Sequence, residues 1–304
     1  MVGPLEHYEL ISFGRIMFVT TNAVTDVITY FENKLSAIFT PREIKAIAKA
    51  FICERLDWSD SDYLMQRSQA TCSESDLLYF RNAVKRIKSG EPFQYVLGKT
   101  WFYDVLLKID RRALIPRPET EELVDWILKE NTRTAPKIVD VGTGSGCIPI
   151  ALKKHLSQAI VTGLDVCDDA LDLAKENAKF QDVDVTFFKY DLLQPNDSVE
   201  GQVFDIVVSN PPYIPIEEKH TMARHVVDYE PEKALFVPQD NPLLFYEHII
   251  DFTTTHLATE GLLYLEIHEE IADGVVDVLE KASFKAICCK KDLQGKNRMI
   301  KAVK

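Results

Sequence analysis

Lys137-Ile138-Val139-Asp140-Val141-Gly142-Thr143-Gly144-Ser145-Gly146 is the stretch that decides the fold class. Its first half reads as a short apolar strand. Its glycines read as a turn that opens a helix running to about His155. Glycine lets the backbone turn sharply and approach a ligand with no Cβ in the way. A dinucleotide fingerprint would need glycine at 142, 144 and 147, and position 147 is Cys147. The pattern is Gly-x-Gly-x-Gly, which favours an adenosyl ligand without a pyrophosphate, S-adenosyl-L-methionine.

Downstream, strand and helix patterns alternate. Strands are expected over 159–165, 183–189, 204–209, 261–268, 284–289 and 298–303, with a helix from the second strand to about Phe180. Alternation of this kind means an α/β fold with a doubly wound, largely parallel sheet. Such sheets bind ligands beyond the carboxyl ends of their strands. Asp165 stands at one such end, nineteen residues past Gly146. Coupled to the glycine loop, its carboxylate is placed to accept from both ribose hydroxyls of an adenosyl ligand. Asp168 is the better N-cap for the helix that follows. Asp191 and Leu192, after the third strand, would flank the adenine. Taken alone, Asp191 reads equally well as a turn residue.

Ser209-Asn210-Pro211-Pro212-Tyr213 follows the apolar strand 204–208 and is the most specific signal in the chain. Two prolines have fixed φ and no N–H donor. The turn therefore offers carbonyl acceptors beside the Asn210 side-chain oxygen and the Tyr213 ring. A planar –NH2 group, amide or base, has the two donors that such acceptors would hold. Other chemistries find little support. His220 and His225 belong to no His-Glu-x-x-His pattern, so no metal is expected. There is no Gly-x-Ser-x-Gly nucleophile elbow.

Upstream, residues from about Thr20 to Ser89 read as helices. Val27, Tyr30, Phe31 and Leu35 recur at spacings of three and four. Thr40-Pro41-Arg42-Glu43 is a helix start with Thr40 as cap and Glu43 at the capping-box position. Ser73 to Lys88 reads as another helix stopped by Gly90. From Glu91 to Asp110 the strand formers Phe93, Tyr95, Val96, Trp101, Phe102, Tyr103, Val105, Leu106 and Ile109 point to a hairpin joining two domains. Gly98-Lys99-Thr100 resembles the tail of a P-loop, but the first glycine it needs falls at Phe93. The expected division is a helical substrate-recognition domain over 1–90, a hairpin linker over 91–115 and a catalytic domain over 116–304. Met17 is an alternative start, with residues 1–16 an extension before it.

The bulk properties narrow the function. A chain of 304 residues with 46% hydrophobic residues has ample length for a buried core. A formal net charge of −12 argues against a protein whose main task is gripping nucleic-acid phosphates. The one basic cluster, Arg81, Lys85, Arg86 and Lys88, reads as a solvated helix face. The six cysteines show no Cys-x-x-Cys spacing and read as free thiols of a cytoplasmic protein. The apolar stretch 10–19 lacks the basic start of a signal peptide, and no run reaches the ~18 residues of a membrane span.

At this point the chain resembles the HemK/PrmC family, the release-factor glutamine methyltransferases, over nearly its whole length from about residue 25. The resemblance rests on the motifs above and on Glu91-Pro92-Phe93-Gln94-Tyr95-Val96-Leu97-Gly98 and Leu114-Ile115-Pro116-Arg117-Pro118-Glu119-Thr120-Glu121. Glu230-Pro231 with Ala234-Leu235, and Lys291-Asp292-Leu293 with Arg298, extend it. It implies a small N-terminal helical domain and a Rossmann-like class I methyltransferase domain with a seven-stranded, mostly parallel sheet. It implies methylation of the glutamine N5 in the Gly-Gly-Gln motif of peptide-chain release factors, and so a role in translation termination. Cofactor residues map onto Gly142, Thr143, Gly144, Ser145, Gly146, Asp165, Asp191, Leu192 and Asn210. Substrate residues map onto Asn210, Pro211, Pro212 and Tyr213, with Asn210, Pro211 and Tyr213 carrying catalysis. Some members have an aromatic residue where this chain has Leu192, which keeps apolar contact with the adenine but not stacking. The segment 237–242 is poorer in glycine than the family pattern. The expected partners are release factors, with no nucleic acid and no membrane. Two other readings stand beside this one: a nucleic-acid amino-methyltransferase acting on adenine N6 or guanine N2, and a non-catalytic S-adenosylmethionine-binding adaptor.

Overall fold

The computed structural model describes residues 11–12, 15–16 and 18–304. Met17 and most of the stretch before it lie outside the described residues, and with them the reading of Met17 as the start. The chain divides into two compact units, one up to Leu97 and one from Gly98 to Lys304.

The first unit begins with a small antiparallel pair, β1 (Ile11–Ser12) and β2 (Arg15–Ile16). Five helices follow: α1 (Val24–Leu35), α2 (Pro41–Leu56), α3 (Asp60–Gln66), α4 (Glu74–Lys88) and α5 (Phe93–Leu97). Three of them start on reciprocal capping boxes, Thr40 with Glu43, Ser59 with Asp62 and Ser73 with Asp76. Each such cap contributes about 0.5–2 kcal/mol. Phe31 packs against Phe51 and Phe80, with ring centroids 5.8 and 6.2 Å away, and all three are fully buried. Of the basic residues of α4, Lys85, Arg86 and Lys88 are exposed and Arg81 is half-buried, and Arg86 pairs with Glu91 at 2.7 Å.

Residues 93–97, read above as strand formers, are helical. Phe93, Val96 and Leu97 sit at i, i+3 and i+4 and pack against the helical core. Gly98, at φ +76°, then turns the chain out of the helix. The hairpin itself is β3 (Lys99–Phe102) with β4 (Val105–Lys108), inside the second unit.

The second unit continues with α6 (Pro118–Glu130), β5 (Lys137–Val141), α7 (Cys147–His155), β6 (Ile160–Asp165), α8 (Asp168–Phe180), β7 (Thr186–Lys189) and β8 (Phe204–Ser209). Two short segments, β9 (Ile214–Pro215) and β10 (Phe236–Val237), pair in parallel on either side of the single turn α9 (Arg224–Val227). Then come α10 (Leu244–His256), β11 (Leu257–Glu266), α11 (Ala272–Lys281), β12 (Lys285–Lys291) and β13 (Asn297–Val303). Seven strands form one sheet in the order β12-β13-β11-β8-β5-β6-β7. The five strands from β11 to β7 run parallel, and β13 is antiparallel to both of its neighbours. Alternation along β5 sends Val139 and Val141 into the core with α10 and α11, and Ile138 into the core with α6 and α7. Strand order reverses between β5 and β8. The carboxyl ends of β5, β6 and β8 therefore surround the crevice where a doubly wound sheet binds its ligand.

Candidate active site

The loop from Val141 to Cys147 is tied directly to its neighbours. Gly142 N–H and Thr143 N–H both donate to the Leu164 carbonyl at 2.8 Å. Gly144 N–H donates to Asp165 Oδ2 at 2.8 Å, and Cys167 N–H to Asp165 Oδ1 at 2.9 Å. The Asp165 carboxylate is thus held at the end of β6 against the glycine loop, with lone pairs left for a ligand. Asp168 is not the cap expected for α8: Cys167 occupies the cap position without a side-chain bond, and Asp168, the first helical residue, pairs with Lys189 at 2.5 Å. A residue at that first position already has helical φ and ψ, so its side chain is spent on the neighbouring strand rather than on the helix end.

Gly144 has φ +53° and nothing within 4 Å of where a Cβ would stand, so the loop leaves an open cradle. Gly146 is the opposite case. A Cβ there would come within 3.1 Å of Ala174 Cβ and Ile150 Cδ1, because α8 packs onto the loop. Below the cradle, Asp140 is fully buried. Among the described residues, both of its carboxylate oxygens, Thr143 Oγ1 and Ser145 Oγ have no hydrogen-bond partner. Burial pushes the Asp140 carboxyl up to about 7. Orphaned buried acceptors beside an open glycine cradle fit a ligand that brings donors and positive charge. S-Adenosylmethionine, with an ammonium and a sulfonium, is such a ligand. Asp191 Oδ1 accepts from Leu193 N–H at 2.9 Å, an Asx turn that closes the end of β7. Leu192 beside it is half-buried against the α10–α11 core.

Ser209 Oγ donates to the Val141 carbonyl at 2.6 Å, which fixes the end of β8 against the start of the glycine loop. Asn210, Pro211, Pro212 and Tyr213 follow directly, with Pro211 buried and the other three half-buried. Ile214 N–H donates to the Leu235 carbonyl, so the pairing of β9 with β10 holds the far side of the turn. The glycine loop, Asp165 and the Asn-Pro-Pro-Tyr turn are therefore joined end to end by hydrogen bonds, with the Asp165 carboxylate and the Ser209 hydroxyl making the links.

Several side chains in this region carried no role in the sequence reading. Asn210 Nδ2 donates to Thr120 Oγ1 at 3.1 Å, and Thr120 Oγ1 donates to Glu266 Oε2 at 2.6 Å. Tyr213 OH donates to Glu266 Oε1 at 3.3 Å. Glu266 ends β11 and is 1% exposed, and burial raises its carboxyl to about 7. Glu230, also buried, accepts from Ile115 N–H at 3.0 Å and Arg117 Nη2 at 2.6 Å, pinning the segment that leads into α6. Arg298 pairs with buried Asp292 at 3.2 Å and donates to the Ile267 carbonyl at 3.1 Å. The available signal was a carboxylate, Glu266, closing the apolar run 262–265, since an acid at the end of a buried strand needs partners.

Residues 120–231 match the methyltransferase small domain, and residues 26–98 match the PrmC N-terminal domain. The chain is 41% identical to the release factor glutamine methyltransferase of Flavobacterium psychrophilum, over 90% of this chain and 96% of that protein. It is 37% identical to the release factor glutamine methyltransferase of Bacteroides thetaiotaomicron, over 91% of this chain and 98% of that protein. Among solved structures, the hMettl16 catalytic domain in complex with MAT2A 3'UTR hairpin 6 superposes with a TM-score of 0.52 at 13% identity. That match covers 83% of this chain and 91% of the other, and it shows a shared fold alone.

Proposed function

The chain belongs to the release factor glutamine methyltransferase family, and from that membership we propose that it methylates N5 of the glutamine in the Gly-Gly-Gln motif of peptide-chain release factors. The observation that carries this reading is the Asn210 amide, anchored by its Nδ2 to Thr120 at the carboxyl end of β8, beside the glycine loop. Its Oδ1 is left to accept from an incoming –NH2 group.

S-Adenosylmethionine, when bound, supplies an electrophilic methyl group on sulfonium sulfur. The residues to hold it are those of the loop from Gly142 to Gly146, with Asp140 and Asp165 as carboxylates and Leu192 as an apolar wall. A glutamine amide is a weak nucleophile because its nitrogen lone pair is delocalised into the carbonyl. The protein's task is therefore alignment, which contributes up to ~7–11 kcal/mol in well-oriented reactions. Asn210 Oδ1 and the Pro211 carbonyl accept the two N–H groups and hold the amide plane. Both dipoles also favour the positive charge that develops on nitrogen. The Tyr213 ring lines the same turn. The N-methylated amide first formed still carries both protons and a positive charge, and this cation is strongly acidic, so it releases one proton without a dedicated base. With a net charge of −12, the reading assigns no nucleic-acid partner. It has the enzyme working in the cytoplasm, where its substrate acts.

The test is single-turnover methyl transfer to a Gly-Gly-Gln release factor, with S-adenosylmethionine affinity titrated alongside. Removing one well-placed polar partner of developing charge costs ~2.7–4 kcal/mol, so Asn210→Ala is expected to slow transfer about a hundred- to a thousandfold. Cofactor affinity should change far less. Near-normal transfer by a folded Asn210→Ala protein would overturn the acceptor role. Strongly salt-dependent binding of RNA or DNA would return the nucleic-acid reading.

A further inference from the structure

We propose that Thr120 and Glu266 are positioning residues that decide which edge of the Asn210 amide faces the substrate. This rests on the acceptor role proposed for Asn210. An asparagine amide has nearly the same shape when its oxygen and nitrogen are exchanged. One orientation offers an acceptor to the substrate –NH2, and the other offers donors that repel it. Something other than shape must choose.

The hydrogen-bond chain makes that choice. An ionised carboxylate accepts and cannot donate. Thr120 has one hydroxyl proton, and at 2.6 Å it goes to Glu266 Oε2. Thr120 Oγ1 then has only lone pairs to offer Asn210, 3.1 Å away, so Asn210 presents Nδ2 to Thr120 and turns Oδ1 aside. The other carboxylate oxygen takes the Tyr213 hydroxyl. One buried acid on β11 thus orients two side chains of the Asn-Pro-Pro-Tyr turn, one of them through α6.

The groups facing Glu266 come from several elements. Arg298 on β13 favours its ionised form, and Glu119 at the start of α6 opposes it. The Tyr213 and Tyr246 hydroxyls and the Cys147 thiol share its surroundings, and Arg117 acts on Tyr213. The His268 ring lies 5.8 Å from the Tyr213 ring. Protonated Glu266 would donate to Thr120, freeing the Thr120 proton for Asn210 Oδ1, and the amide would turn over to its unproductive edge. With the Glu266 carboxyl raised to about 7, transfer should fall as pH drops through that value.

The test uses the full chain, S-adenosylmethionine and a Gly-Gly-Gln release factor under single-turnover conditions. Thr120→Val keeps the shape and removes the hydroxyl, and Thr120→Ser restores it. The expected result is a loss of about tenfold or more in transfer rate for Thr120→Val, typical of one lost directing hydrogen bond. Cofactor affinity should stay within about twofold, and Thr120→Ser should recover most of the rate. In an Asn210→Ala background Thr120→Val should cost nothing more, because the relay acts only through Asn210. Glu266→Gln should be slow and should lose the pH dependence near neutrality, and Thr120→Ala replaces Thr120→Val in the comparison if that protein does not fold. An impaired Asn210→Ala with normal Thr120→Val, or additive losses in the double variant, overturns the relay and leaves the acceptor role standing. Normal transfer by Asn210→Ala overturns both.

Discussion

Asp140 sits fully buried under the glycine loop with neither carboxylate oxygen paired among the described residues. Desolvation raises its folded-state carboxyl from the ordinary 3.8 to about 7. A raised folded value means the folded protein holds the proton more tightly than the unfolded chain. The stability this adds is fully present below the unfolded value and is lost as pH rises through about 7. Asparagine at this position carries no charge at any pH. Asp140→Asn should therefore gain stability over the parent as pH rises, with a larger melting-temperature difference at pH 8 than at pH 5. Thermal melts of the two proteins across that range are the measurement, and a pH-independent difference would show that Asp140 titrates as an ordinary carboxyl. The same substitution takes one negative charge from the cradle, so S-adenosylmethionine should bind Asp140→Asn more weakly even where the protein is more stable. Stability and binding moving in opposite directions is the mark of a group kept for its ligand.

At the level of elements, Gly146 locks α7 to α8. Its φ of +78° would strain any side chain, and the 3.1 Å approach to Ala174 Cβ would force the neighbour to shift. Gly146→Ala combines left-handed strain with overpacking, a cost of about 2–5 kcal/mol. Denaturant unfolding should register that loss, and a cost below about 0.5 kcal/mol, ordinary for surface changes, would mean the two helices adjust freely. This packing role was not legible in the sequence, where the third glycine read simply as part of a ligand loop. The strands of the sheet were legible, because buried parallel strands are short β-branched runs with clear punctuation. The Asn-Pro-Pro-Tyr turn was legible because its two prolines fix the backbone locally. Residues 93–97 were misread because Phe93, Tyr95 and Val96 favour strands, while the deciding contacts are tertiary, with α4 just before them and with α2, distant in sequence. Thr120 and Glu266 escaped for the same reason. They are 146 positions apart, and nothing local to either one signals that a strand end and a helix start meet at Asn210. Thr120 belongs to a motif of the family, but only the geometry gives it something to hold.

At the scale of the whole molecule, every residue assigned to the cofactor lies after Gly98, and each unit buries a core of its own. The first unit carries no cofactor motif, and it exposes two adjacent apolar side chains beside a groove. Leu64 and Met65 are 66% and 67% exposed, beside a groove of about 340 Å³ lined by Ile28, Lys45, Lys49, Tyr63 and Arg67. Apolar side chains rimmed by cations suit contact with a folded protein better than with a small ligand. We therefore expect the first unit to recognise the release factor as a whole, while the second unit reads the glutamine. A chain beginning at Gly98 should bind S-adenosylmethionine about as the full chain does, and should methylate a short Gly-Gly-Gln peptide at a similar rate. On an intact release factor its kcat/KM should fall at least about tenfold, the equivalent of ~1.4 kcal/mol of lost interface. The peptide serves as the internal control, because a chain that folds poorly would fail on both substrates. Equal efficiency of the short and full chains on the intact factor would mean that recognition resides in the second unit, with the exposed pair at Leu64 and Met65 serving some other contact.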